Sequence, residues 1–190
     1  MKAMKYHDYI WDLGGTLLDN YETSTAAFVE TLVLYGITQD HDSVYKALKV
    51  STDFAIETFA PNLEHFLEKY KENEARELEH PTLFGGVSDL LADISSQGGR
   101  HFLVSHRNNQ VLEILEKTSI AAYFTEVVTS NSGFKRKPNP ESMIYLREKY
   151  QISSGLVIGD RPIDIEAGQA AGLDTHLFTS IVNLRQVLDM

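Results

Sequence analysis

Five short apolar runs, each bounded by polar residues and separated from the next by helical patterns, constrain this chain more than any other feature. They are "YIWD" from Tyr9, "RHFLVS" from Arg100, "FTEVVT" from Phe124, "SGLVIGD" from Ser154 and "DTHLFTS" from Asp174. Unbroken β-branched and apolar runs of this length suit strands buried on both faces, which means a parallel sheet. Between them, "VSDLLADISS" repeats Val87, Leu90, Leu91 and Ile94 at helical spacing before the Gly98-Gly99 stop, and "NNQVLEILEKTS", "NPESMIYLREKY" and "DIEAGQAAGL" read the same way. Strand and helix alternate from about residue 85 onward, so the expected architecture is a doubly wound α/β fold with helices on both faces of a parallel sheet.

Residues 20 to 80 break that alternation. They hold "TSTAAFVETLVLYGI", "HDSVYKALKV", "TDFAIETFA" and "NLEHFLEKYKENEARELEH", helical patterns with no strand between them. The expected division is therefore a core of residues 1–19 and 81–190 with a helical insert at 20–80. The charged end of the insert reads as a solvated helix face.

Composition removes several classes of function. A formal charge of −10 leaves no general surface for nucleic acid or an anionic membrane, so any phosphate site must be local. With no cysteine in the chain, disulfides, thiolate zinc sites and a cysteine nucleophile are excluded, as suits a reducing cytosol. No run approaches the roughly 20 apolar residues of a membrane span, and the expected location is the cytoplasm.

In open α/β sheets, ligands bind outside the carboxyl ends of the strands. Here those ends deliver Asp12 with Thr16, then Ser105, then Lys137 in "FKRKPNPE", then Asp160 and Asp164 in "GDRPID". Singly, each has a structural explanation: a turn or helix cap for the aspartates and serine, solvent for a lysine before proline. Together they gather a carboxylate, a hydroxyl, a cation and two more carboxylates on one sheet edge. Acidic groups from different strands can hold Mg²⁺, which takes oxygen ligands and works with phosphates.

These residues resemble the motifs of the haloacid dehalogenase superfamily: "DLGGTLLD" from Asp12, Ser105 after "HFLV", "KRKPNP" around Lys137 and "GDRPID" from Gly159. The resemblance covers essentially the whole chain, and the layout is similar to the phosphoglycolate phosphatase and β-phosphoglucomutase branch. It implies a three-layer α/β/α Rossmann-like core, a helical cap in the insert, Mg²⁺ as cofactor and a small phosphorylated metabolite as ligand. By the same resemblance Asp12 is the nucleophile that forms an aspartyl-phosphate. Ser105 and Lys137 hold the phosphoryl group together with Thr16 and the Gly14-Gly15 turn, with His106 beside them. Asp12, the Gly14 carbonyl, Asp160 and Asp164 serve the metal.

One position departs from the pattern. Phosphatases of this superfamily carry a second aspartate two residues after the nucleophile, where it protonates the leaving group; here that position is Gly14. Four readings follow: a phosphatase for substrates that need little protonation or that uses a substitute such as His106, a non-catalytic binder, a carbon–phosphorus hydrolase with a cap lysine, and a dehalogenase. The carbon–phosphorus reading requires a desolvated amine among Lys46, Lys49, Lys69 and Lys71. The retained carboxylates of "GDRPID" argue against the dehalogenase.

Overall fold

A computed structural model describes residues 4–190. The five apolar runs become β1 (Asp8–Trp11), β2 (Arg100–Val104), β3 (Phe124–Val128), β4 (Gly155–Gly159) and β5 (Asp174–Leu177). They form one sheet in the order β3-β2-β1-β4-β5, and every pairing is parallel. The side chains of β1, β2 and β4 alternate with period two between two buried faces, whereas the edge strands β3 and β5, which were expected to be buried on both faces, are only partly buried because each has a neighbouring strand on one side only. Tyr9, Trp11, Leu103, Leu156 and Ile158 enter one hydrophobic cluster, whereas Ile10, Phe102, Val104 and Val157 enter another.

Helices cover both clusters, giving the expected three layers. On the first face lie α5 (Val87–Ser96), α6 (Gln110–Lys117) and α9 (Ile181–Leu188), which contribute Leu90, Leu91, Ile94, Val111, Leu115 and Leu184. On the second lie α7 (Glu141–Lys149) and α8 (Pro162–Ala170), with Met143, Leu146 and Ala167.

Strand order places the site. The chain runs outward from β1 through β2 to β3, then crosses back to β4 on the other side of β1, which makes the carboxyl ends of β1 and β4 a topological switch point. Trp11 is level with Leu103 on one side and Ile158 on the other. Asp12, Ser105 and Asp160 therefore leave the sheet within about one residue of each other along that edge.

The chain divides into two compact units, Asp19–Thr82 and the remainder. The smaller unit is helical: α1 (Asn20–Leu34), α2 (His41–Val50), α3 (Thr52–Phe59) and α4 (Phe66–Glu77). Asp19, Asp40 and Ser51 cap α1, α2 and α3 through their side chains. It has its own core, in which the Phe28 ring meets those of Phe66 and Tyr70 at 5.0 and 5.2 Å. The charged end behaves as read: α4 buries Phe66, Tyr70 and Asn73 and exposes Glu68, Lys69, Lys71 and Glu72. Among the described residues, no helix is long and apolar enough to cross a membrane.

Candidate active site

Asp12 continues β1 by one residue, with its N–H donating to the Ile158 carbonyl. The chain then closes a tight turn. Gly15 donates to the Leu18 carbonyl, and the amides of Thr16, Leu17 and Leu18 converge on the Leu13 carbonyl. Gly15 sits at φ +79°, where an L side chain is strained, and a Cβ there would meet the Asp160 carboxylate at 2.3 Å. The turn is glycine because it presses against that carboxylate. The Gly14 carbonyl accepts none of the bonds that close the turn.

Lys137 shows how the pieces assemble. Its loop, between charged neighbours and a proline, suggested solvent, yet the side chain is only 1 % exposed. Nζ donates to Asp12 Oδ1 at 2.8 Å, to Asp164 Oδ1 at 2.5 Å and to the Val104 carbonyl at 3.1 Å. An ammonium has three donors, and all three are used. The Val104 carbonyl is a partner the sequence could not reveal, since a main-chain oxygen carries no residue-type signal. Asp164, in the first turn of α8, is also buried and takes the Arg161 N–H on Oδ2 at 3.1 Å.

Asp160 is half-buried, and among the described residues no cation is bonded to it; the Thr16 hydroxyl donates to its Oδ1 at 3.5 Å. Burial and the charge of Asp12 push its carboxyl up to about 6. Burial raises Asp12 too, against the pull of Lys137. Carboxylate oxygens of Asp12, Asp160 and Asp164 lie within 4.8 Å of one another. Lys137 bonds two of these carboxylates, and Arg161 acts on Asp12 and Asp160 by charge without a hydrogen bond; the acidic groups still outnumber the bonded cations, and the donors are all hard oxygens. That set fits Mg²⁺.

Ser105 is buried at the end of β2, and its Oγ accepts the Arg107 N–H at 3.2 Å. His106 Nε2 accepts the backbone N–H of Lys137 at 2.8 Å. Burial, and then the charges of Lys137, Arg136 and Arg161, lower the His106 pKa to about 4. The imidazole is therefore neutral at neutral pH with its Nε2 lone pair committed, which does not match the expected proton shuttle near neutrality. Nor is there a desolvated amine in the helical unit: Lys46, Lys49, Lys69 and Lys71 are all exposed.

Thus Asp12, Gly14, Gly15, Thr16, Ser105, His106, Lys137, Asp160 and Asp164 all belong to one compact unit, and the hydrogen bonds above link most of them. Residues 9–178 match the family described as haloacid dehalogenase-like hydrolase. The chain belongs to that family. As a haloacid dehalogenase-like hydrolase it is similar to a phosphoglycolate phosphatase of Vibrio parahaemolyticus, 28 % identical over 182 residues, or 85 % of this chain and 78 % of that one. It is also similar to an N-acetylmuramic acid 6-phosphate phosphatase of Pseudomonas putida, 27 % identical over 90 % of this chain and 82 % of the other. A solved structure of a hydrolase from Streptococcus pneumoniae TIGR4 superposes with a TM-score of 0.96 at 94 % identity, covering 98 % of this chain and all of that one.

Proposed function

We propose that this hydrolase is a Mg²⁺-dependent phosphatase of small phosphorylated metabolites that works through an aspartyl-phosphate on Asp12. The observation that carries the reading is the gathering of the Asp12, Asp160 and Asp164 carboxylates at one sheet edge, with Lys137 bonded to Asp12 and Asp164. Two phosphatases among the relatives support it.

In this reading, Lys137 ties Asp12 Oδ1 and so fixes the carboxylate, leaving Oδ2 as the attacking oxygen. An Asp12–phosphorus bond forms as the ester P–O bond breaks, and water then hydrolyses the acyl phosphate and restores the carboxylate; the covalent step divides one hard displacement into two easier ones. Ser105 Oγ already accepts a hydrogen bond, which frees its O–H to donate to a phosphoryl oxygen. Asp12, Asp160, Asp164 and the Gly14 carbonyl are the groups that would hold Mg²⁺, which supplies positive charge against the repulsion between a carboxylate and a phosphate dianion. The leaving oxygen receives no proton from Gly14, so good leaving groups are favoured.

The helical unit acts as the cap that selects substrates, and the protein works in the cytoplasm, away from nucleic acid and membrane. The test is Mg²⁺-dependent phosphate release from aryl, acyl, sugar and small-acid phosphates, with Asp12→Asn as control. Release that disappears in Asp12→Asn is the expected result. Release that survives it, or none from any ester, would overturn the proposal.

A further inference from the structure

The hydrogen bonds of His106 cannot all be satisfied by the protein. A backbone N–H can only donate, so the Lys137 amide at 2.8 Å makes Nε2 the acceptor. The one proton of the neutral ring is then on Nδ1. Arg136 Nη2 lies 3.2 Å from that Nδ1, and a guanidinium has donors only. Two N–H groups therefore face each other with no acceptor between them.

Three further observations concern the same place. Of the seven arginines in the chain, Arg76, Arg100, Arg147 and Arg185 each bond an oxygen. Among the described residues, the side chains of Arg107, Arg136 and Arg161 have no oxygen partner. These three follow β2, precede Lys137 and follow Asp160, so they ring the carboxyl edge of the sheet. The charges of Arg136 and Arg161 both reach His106. In a chain of charge −10 this is a local concentration of cations; Arg161 acts on the Asp12 and Asp160 carboxylates, whereas among the described residues the Arg107 and Arg136 side chains bond no acidic group. Finally, one cleft is lined by Ser105, His106, Arg136 and Lys137 together with Ser142, a buried residue whose Oγ has no hydrogen-bond partner.

We propose that His106 Nδ1–H and the Arg136 guanidinium form a second anion subsite, which binds an acidic group of the substrate, carboxylate or phosphate, other than the phosphoryl group transferred. The inference rests on the phosphatase reading for the identity of the neighbouring site. Each subsite donor is adjacent in the chain to a residue proposed to hold phosphoryl oxygens: His106 to Ser105, and Arg136 to Lys137. The substrate is therefore compact, with its two acids joined by a short linker.

Binding to Asp12→Asn protein tests the subsite apart from turnover. Calorimetry with Mg²⁺ present compares 2-hydroxyethyl phosphate, whose far end is neutral, with 2-phosphoglycolate and with the bisphosphate of ethane-1,2-diol. One or both diacids should bind about ten- to a hundredfold tighter than the neutral ester, the range of a charge-assisted hydrogen-bond pair. Which of them gains identifies carboxylate or phosphate as the natural group. Adding Arg136→Gln should bring the affinities to near parity. Adding Lys117→Gln, which removes the same charge from an exposed lysine at the end of α6 outside that cleft, should leave the preference intact. Equal binding of all three ligands, no binding of either diacid, or equal effects of the two substitutions would overturn the subsite. Should the preference hold while wild-type protein releases no phosphate from any ester, the phosphatase reading fails and the subsite stands.

Discussion

Gly15→Ala separates the geometry of the site from the stability of the fold. The substitution has two consequences. At φ +79° an alanine is left-handed, which costs roughly 1–2 kcal/mol, offset by about 0.4–1 kcal/mol from the reduced freedom of the unfolded chain. The net loss of about 1 kcal/mol is small beside the 5–15 kcal/mol of a typical domain. The second consequence is local. The new Cβ would stand 2.3 Å from Asp160 Oδ2 and 2.7 Å from its Cγ, where ordinary contact begins at 3.4 Å. The carboxylate must retreat by roughly 1 Å, a misplacement that can lower a rate by about 10²-fold. Thermal melting should therefore show a folded protein a few degrees less stable, while Mg²⁺ titration and release of p-nitrophenol from its phosphate ester show weakened metal binding and turnover down about a hundredfold. A folded variant with wild-type Mg²⁺ affinity and turnover would refute the reasoning, because Asp160 could then not be needed where it stands.

Gly14→Asp should raise turnover of alkyl phosphates by about 10²-fold or more, the contribution of a positioned acid. Gly14 is not among the positive-φ glycines of the described residues, so the backbone admits the side chain; no gain in a folded variant would mean the leaving group is already served. Lys137→Met strands Asp12 and Asp164 without their cation and should destabilise the metal-free protein by about 3–5 kcal/mol, read from urea midpoints, with Mg²⁺ restoring part of the loss. His101 is fully buried, donates from Nε2 to the Leu91 carbonyl and accepts the Trp11 indole N–H on Nδ1, and burial lowers its pKa from 6.5 to about 4. The unfolded chain binds the extra proton between those values, so stability falls as pH drops below 6.5, by about 2 kcal/mol at pH 5; the stability difference between wild type and His101→Gln should shrink by that amount from pH 7.5 to 5.

The layers of the fold were legible because burial on both faces leaves a plain mark: apolar runs such as "HFLV" and "GLVIG" at strand length, with helical spacing between. Strand order was not. Nothing local to "YIWD" states that β2 and β4 flank it, and it is that adjacency which sets Asp12 beside both Ser105 and Asp160. The site residues could be listed from strand-end position and motif, but their contacts could not. Lys137 is the sharpest case. Its sequence neighbours are Lys135, Arg136 and Pro138, the company of a solvent-facing lysine, and it is buried only because carboxylates 125 and 27 residues away demand a cation.

Charge explains why the rest of the site stayed hidden. A motif read along the chain supplies residue types, whereas the chemistry of this edge follows from which charges are neutralised and which are not. Asp12 and Asp164 share Lys137, whereas among the described residues no cation is bonded to Asp160, and burial and the charge of Asp12 raise its pKa against the pull of Arg161. On the opposite side of the balance, Arg136 points donors at a donor. His106 illustrates the limit: beside Ser105 in sequence it passes equally well for a surface residue, a phosphate ligand or a proton shuttle, and only the Lys137 amide on Nε2 determines which nitrogen keeps the proton. Uncompensated negative charge asks for a metal ion, and uncompensated donors ask for an anion. On the proposed reading a phosphorylated acid bound with Mg²⁺ would supply both, and the ligands would complete a site whose first motif lacks its second aspartate.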